Sequence, residues 1–218
     1  MKILLFFHGG SKNRGCEAIV RSGIPIIKKY IPHAEISLLS QDFESDKNMP
    51  GITNLFDDSR VEIKKYSIEW FLSLLNVKLF GNENYAIRIN YQKIFKHIPT
   101  HDVFLSIGGD NYCYGEQPWL YEVDRQIKKA GKKLILWGAS IGSEDLSPAK
   151  VTDLKSFDLL LVRETLTFQN LTEKGIQNVK LCSDGAFTME KEELPLPEGW
   201  QEGNTIGFNY SPLVWKKK

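Results

Sequence analysis

The stretch from Ser106 to Tyr114, SIGGDNYCY, combines the residue types of a ligand-binding loop and follows a short apolar run. Gly108 and Gly109 allow positive φ and a close approach of the backbone to a ligand. Asp110 and Asn111 supply hydrogen-bond acceptors and donors at the tip of the loop. The same residues are also typical of a tight turn into the next helix, so both interpretations stay open at this point.

A second glycine-rich loop, His8 to Gly15, follows the first apolar run and precedes a helical pattern. Backbone amides at Asn13 and Gly15 would favour an anion at the start of that helix, and a plain helix cap is the alternative. The spacing matches neither GxGxxG nor GxxxxGK[ST]. His8 is the histidine that this pattern places at the ligand edge, and it is the candidate acid or base.

Two further polar groups follow later strands. Arg163 stands at the carboxyl end of a predicted strand, where its guanidinium could grip an anion with two hydrogen bonds. An ion pair with Glu164 or Glu17 is the alternative. Asp184 precedes Gly185, a position more typical of a turn, and a role in the site is the alternative.

Strands and helices alternate along the chain, which predicts a doubly wound, parallel, Rossmann-like α/β sheet. Ligands of such sheets bind beyond the carboxyl ends of the strands, where all the loops above lie. Strands are predicted at 2–7, 35–40, 61–66, 103–107, 133–137, 159–162 and 179–181. Helices are predicted at 16–30, 67–80, 85–98, 119–130, 147–157 and 165–174.

Some segments carry more specific expectations. Pro25 predicts a kink or a break in the first helix near Gly23. The segment 67–80 is apolar nearly all round, which is typical of a buried helix; a membrane-surface or partner-binding helix is the alternative. Asp57 and Asp58 are interpreted as a solvated turn.

Composition excludes several classes of protein. The 218 residues have a formal net charge of +1, which gives no electrostatic drive toward nucleic acid. Three cysteines without CxxC spacing, and no HExxH or DxD, predict neither a disulfide framework nor a metal centre, and no cofactor is expected. The opening MKILLFF is too short for a signal peptide, so a cytoplasmic protein is expected.

The pattern divides the chain into three parts. Residues 1–189 are predicted to form the Rossmann-like lobe, and the charged, proline-broken segment 190–203 a linker. Residues 204–218 are predicted to begin a second lobe that is missing or truncated, with a first strand at Thr205 to Tyr210. Docking of this tail onto the first sheet or another chain is the alternative.

Taken in order, these loops resemble the polysaccharide pyruvyl transferase family. The matching segments are NRGCEA at 13–18, GGDN at 108–111, WGASIG at 137–142, VRE at 162–164, SDGAF at 183–187 and IGFNYSPLV at 206–214. The resemblance implies two Rossmann-like lobes in a GT-B-like arrangement with the active site between them. It also implies transfer of the enolpyruvyl unit of phosphoenolpyruvate to sugar hydroxyls, which forms a pyruvate ketal on a cell-surface glycan.

The candidate site residues follow from the loops and from this resemblance. The candidate catalytic residues are His8, Asp110 and Arg163, and the candidate substrate-binding residues are Asn13, Gly15, Gly108, Gly109, Asn111, Ser140, Glu164 and Asp184. The expected partners are phosphoenolpyruvate and a sugar or lipid-linked glycan, with a peripheral contact of the protein at the inner face of the membrane. A GT-B glycosyltransferase that uses a nucleotide sugar and an inactive glycan-binding lobe are the alternatives, and the oligomeric state stays open.

Overall fold

The computed structural model describes residues 1–191 and 193–208. Within them, a sheet of seven strands carries helices on both faces. The strands are β1 (Lys2–His8), β2 (Glu35–Ser40), β3 (Asn54–Asp57), β4 (Val103–Ser106), β5 (Lys133–Ala139), β6 (Leu159–Val162) and β7 (Val179–Leu181). The helices are α1 (Arg14–Tyr30), α2 (Phe43–Asp46), α3 (Ile68–Phe80), α4 (Asn84–Asn90), α5 (Gln92–Phe95), α6 (Pro118–Lys129), α7 (Pro148–Leu154) and α8 (Thr165–Glu173).

The central strands are nearly continuous apolar runs because both faces of the sheet are covered. Successive side chains of a strand point to opposite faces. In β1, Leu4 and Phe6 accordingly join the core on one face, and Ile3 and Leu5 join the core on the other. These four side chains are at most 2% exposed.

Every strand pair is parallel, and the order across the sheet is β3-β2-β1-β4-β5-β6-β7. The chain moves from β1 toward one edge of the sheet and from β4 toward the other. The loops after β1 and β4 therefore diverge and leave a crevice between them, which is where doubly wound sheets bind ligands. The predicted doubly wound, Rossmann-like α/β fold is confirmed.

The third strand was predicted in the wrong place. It is Asn54–Asp57, whereas 61–66 contains neither helix nor strand. β3 lies at the edge of the sheet, and its residues are half-buried or exposed, so it lacks the apolar run that marks the central strands. The neighbouring Asp58 is buried, which contradicts its interpretation as part of a solvated turn.

Three helix predictions also need correction. α1 is unbroken from Arg14 to Tyr30, because its buried side, including Val20 and Ile24, holds it on the sheet despite Pro25. The predicted helix 85–98 is divided into α4, α5 and a 3-10 turn. α3 forms where expected, but none of its residues is buried.

The segment after Thr188 contains neither helix nor strand in its described residues, 189–191 and 193–208. The predicted strand from Thr205 falls partly here, where residues 205–208 are irregular, and its last two residues lie outside the described residues. None of the helices in the described part of the chain has both the length and the apolar character needed to cross a bilayer.

Candidate functional site

A cavity of about 410 Å³ opens at the crevice between the loops that follow β1 and β4. The ends of β6 and β7 complete its wall. Cys16 and eight of the candidate residues line it. The eight candidates are Asn13, Gly15, Gly108, Gly109, Asp110, Asn111, Arg163 and Asp184. The structure thus brings together loops that are far apart in sequence.

Arg163 is the cation in the wall of this cavity. Its Nε donates a hydrogen bond to Ser140 Oγ at 2.8 Å, and its Nη1 donates to Asp184 Oδ2 at 3.0 Å. A guanidinium has five N–H donors, and these two contacts use two of them. The ion pair expected with Glu164 or Glu17 is not the one that forms: Arg163 pairs with Asp184 instead. The side chain is thus fixed in one orientation with donors left over.

Gly108 and Gly109 allow the backbone of the loop after β4 to pack closely against neighbouring side chains. Neither Gly108 nor Gly109 has positive φ, contrary to the sequence expectation. A Cβ on Gly108 would lie 2.3 Å from Asn111 Oδ1, and a Cβ on Gly109 would lie 3.2 Å from Arg163 Nη1. A side chain at position 108 would therefore displace Asn111, whereas one at position 109 would need only a small shift of Arg163.

Two asparagines shape the loops from within. Asn111 Nδ2 donates to Ser106 Oγ at 2.9 Å, which ties the loop tip back to the end of β4. Asn13 is the N-cap of α1, and its Oδ1 accepts from the amides of Gly15 at 2.9 Å and Cys16 at 3.4 Å. Those two amides are therefore engaged by Asn13, so the helix-cap alternative describes this loop.

Asp110 is exposed at the mouth of the cavity. Among the residues that the structure describes, no hydrogen bond or ion pair engages its carboxylate. Its charge, added to the effect of partial burial, raises the pKa of the neighbouring Cys16 thiol. The Cys16 thiol in the cavity wall is therefore neutral. The Asp110 carboxylate, which has no partner among the described residues, can accept a proton or a hydrogen bond from a sugar hydroxyl.

His8 does not line the cavity. Its side chain is 1% exposed, and its Nε2 lies 3.0 Å from Asp46 Oδ2, although the two atoms are not aligned as a hydrogen bond. Asp46 also accepts hydrogen bonds from Ser11 and Ser40. The geometry therefore gives His8 a place in a buried cluster that fixes the start of its loop.

The backbone explains the direction of His8. Phe7 has a φ of 60°, a strained value for an aromatic residue, and the pairing of β1 with β2 shifts register between Leu5 and His8. His8 is thereby paired with Ser40 of β2, on the side of Asp46. A single-residue irregularity of this kind leaves no pattern in the sequence.

The remaining candidates lie around Arg163. Ser140 does not line the cavity but supports Arg163 from behind. Glu164 lines an adjoining hollow of about 450 Å³, which shares Arg163 and Asp184 with the first, and its carboxylate accepts a hydrogen bond from Thr167. Asp184 also caps the following turn, because its Oδ1 accepts from Ala186 N at 2.9 Å.

A buried polar network beneath the loop of Asp110 was missed by the sequence analysis. Tyr112 is fully buried with a φ of 70°, and its hydroxyl forms hydrogen bonds with both Asp124 and Asp153. Lys150 Nζ donates to the carbonyls of Tyr112 at 2.7 Å and Gly115 at 2.8 Å. The loop is therefore fastened from below by groups on α6 and α7.

Burial determines the protonation of this network. It raises the pKa of Asp153 to about 6, and burial together with the charge of Asp153 raises the pKa of Asp124 well above its ordinary value. Burial also raises the pKa of Tyr112 and lowers that of Lys150. The network thus favours a neutral Asp124 that shares the Tyr112 hydroxyl with Asp153, which makes it a structural support. Only the two tyrosines of the YCY sequence could have drawn attention to it.

Two similar solved structures are a lipopolysaccharide outer core galactosyltransferase, WaaB, in its apo form and a putative UDP-N-acetylglucosamine 2-epimerase from Listeria monocytogenes. The first is 16% identical with a TM-score of 0.48 over 83% of this chain, and the second is 14% identical with a TM-score of 0.44 over 82%. The aligned part covers 44% of each of those chains, so this chain spans less than half of their length.

A search of curated proteins finds no match. The family model described as polysaccharide pyruvyl transferase matches residues 13–215, which is most of the chain. The match begins at the N-cap of α1 and includes every loop of the cavity that follows it. The chain therefore belongs to the polysaccharide pyruvyl transferase family.

Proposed function

We propose that this chain takes part in transferring the enolpyruvyl unit of phosphoenolpyruvate to a sugar of a cell-surface polysaccharide, where it forms a pyruvate ketal. The observation that carries the proposal is the combination, in one cavity, of a fixed guanidinium and an unpaired carboxylate. Membership of the pyruvyl transferase family supports the same chemistry.

The reaction requires an acid, a base and cations. A proton must be added to the methylene carbon of the enol, and two sugar hydroxyls must add to the resulting cationic carbon as phosphate leaves. The anionic donor needs cations, and the hydroxyls need a base. Arg163 is placed to hold a carboxylate or phosphate oxygen, and Asp110 is placed to accept a hydroxyl proton.

The charged side chains of the cavity wall suggest which of the two substrates this lobe binds. The charged side chains in the wall of the cavity are Arg163, Asp110 and Asp184, and Asp184 already neutralises Arg163. The described residues thus offer more carboxylate than cation, which suits sugar hydroxyls better than a multiply charged donor alone. We propose that this lobe contributes the acceptor side and one anion contact, with further cations supplied from outside the described residues.

Transfer can be tested with phosphoenolpyruvate and a panel of methyl glycosides. Phosphate release would be followed by ³¹P NMR, and the ketal by mass spectrometry as a gain of one pyruvate less one water. Arg163→Ala is expected to lower the rate by roughly 100-fold or more, as for other fixed donors that act on developing charge. Arg125→Ala is the matched control, because Glu122 keeps Arg88 as its partner.

The outcomes distinguish the alternatives. Full activity of Arg163→Ala would refute its role. Turnover of a nucleotide sugar in place of phosphoenolpyruvate would indicate a glycosyltransferase. Binding of the glycosides without turnover of either donor would indicate an inactive glycan-binding lobe.

A further inference from the structure

The helix α3 differs from a normal surface helix because a broad apolar side of it is exposed to solvent. At about 100° per residue, its outward arc spans about 160° of the circumference. The residues in this arc are Ile68, Phe71, Leu72, Leu74, Leu75, Lys78 and Leu79. All six apolar members are at least 40% exposed, and Ile68 reaches 75%.

The rest of the circumference of α3 is mixed and includes the residues that contact the protein. Trp70, Ser73 and Asn76 are half-buried there, whereas Glu69, Val77 and Phe80 are exposed. Asn76 Oδ1 accepts from Tyr85 N at 3.3 Å, which fastens α3 to the start of α4. Glu69 lines a hollow with Lys64 and Gln92 of the protein body. This orientation leaves the apolar side in water unless another apolar phase covers it.

The charges around α3 indicate what that phase is. Between residues 64 and 80 the cations are Lys64, Lys65 and Lys78, and the one acid is Glu69. Lys78 lies inside the apolar arc, whereas Glu69 lies outside it, about 100° around the helix from Ile68, so the outward arc is apolar and positively charged. Such a surface is complementary to the apolar interior and anionic head groups of a bilayer.

Two details favour a bilayer over a second copy of the chain. Lys78 lies inside the apolar arc, and a twofold pairing of α3 would bring the Lys78 charges of both copies into the apolar contact. At a bilayer surface, the same side chain can extend its ammonium group to the head groups. Tyr66 and Trp70 also pack edge to face, with Lys65 Nζ 5.0 Å from the Tyr66 ring centroid, a combination typical of membrane interfaces.

We infer that α3 inserts its outward side into the surface of an anionic membrane and holds the chain there. This contact is independent of the proposed reaction, because it uses neither the cavity nor its residues. If the proposed function holds, the contact would also place the cavity near lipid-linked acceptors.

The test is sedimentation of the whole chain with vesicles. One set contains equal parts of phosphatidylcholine and phosphatidylglycerol, and the other contains phosphatidylcholine alone. Binding is expected to the anionic vesicles and to weaken with salt. Leu75→Glu and Leu79→Glu are each expected to lower the partition coefficient by about tenfold or more, since each removes a leucine from the apolar phase.

Leu166→Glu on α8 is the matched control, because Leu166 is equally exposed but lies on another helix. Melting temperatures near that of the wild type would show that all variants fold. Equal binding by Leu75→Glu and the wild type would overturn the inference. Absence of vesicle binding would also overturn it, as would a dimer in solution that Leu75→Glu dissociates.

Discussion

Asp58 gives a pH dependence of stability that can be worked out from its surroundings. The residue is 3% exposed, and its Oδ2 has no hydrogen-bond partner among the described residues. Burial, with a smaller contribution from the charge of Asp57, raises its pKa from 3.8 to about 7. The unfolded chain therefore ionises this group first, and the folded state loses stability as the pH rises from about 4 to 7.

The magnitude follows from the difference between the two pKa values. Between pH 5 and pH 8 the linkage amounts to about 2 to 3 kcal/mol against the folded state. Asp58→Asn removes the titration while keeping the shape of the side chain. Relative to the wild type, the variant should gain that amount on going from pH 5 to pH 8, which corresponds to roughly 5 to 10 °C in melting temperature.

The assay is thermal unfolding by circular dichroism at both pH values. Asp158→Asn is the control, because lysine pairing and a backbone hydrogen bond lower the pKa of Asp158 to about 2, against the effect of its partial burial. Its effect on stability should be the same at pH 5 and pH 8, where the carboxylate is ionised in both states. The same difference between wild type and Asp58→Asn at both pH values would refute the reasoning.

The remaining predictions concern the loop after β4 and the helix α1. Gly108→Ala should displace Asn111 and lower the binding of phosphoenolpyruvate in the cavity, measured by titration calorimetry. In α1, a Cβ on Gly23 meets nothing within 4 Å, so Gly23→Ala should stabilise the fold by about 0.5 to 1 kcal/mol in urea unfolding. Unchanged binding by Gly108→Ala would contradict the packing argument. Tyr112→Phe should destabilise by about 1 to 3 kcal/mol in the same unfolding assay, because two buried carboxyl groups lose their shared hydrogen-bond partner. A neutral effect would contradict this and would mean that water replaces the hydroxyl.

Much of the fold could be predicted because the central strands are buried on both faces. Runs such as Lys2 to Phe7 can hardly be anything but strands between helices. β3 was missed because an edge strand needs no such run. The exposure of α3 was missed for a different reason: hydrophobicity shows that a segment must be covered, but it does not show what covers it.

The candidate site was predictable where it depends on the ends of strands. Eight loop residues meet at one cavity because parallel strands end on the same side. The direction of a single side chain was not predictable. His8 turns to Asp46 because Phe7 has positive φ, and Tyr112 enters the core by the same kind of backbone exception.

The central claim is that Arg163 supplies one anion contact to an enolpyruvyl donor that reaches the cavity. The most direct measurement is the melting temperature of the chain as phosphoenolpyruvate is added, in parallel with UDP-glucose. Phosphoenolpyruvate should raise it for the wild type and Arg125→Ala but not for Arg163→Ala. A rise with UDP-glucose alone, or an equal rise with phosphoenolpyruvate in Arg163→Ala, would contradict the account.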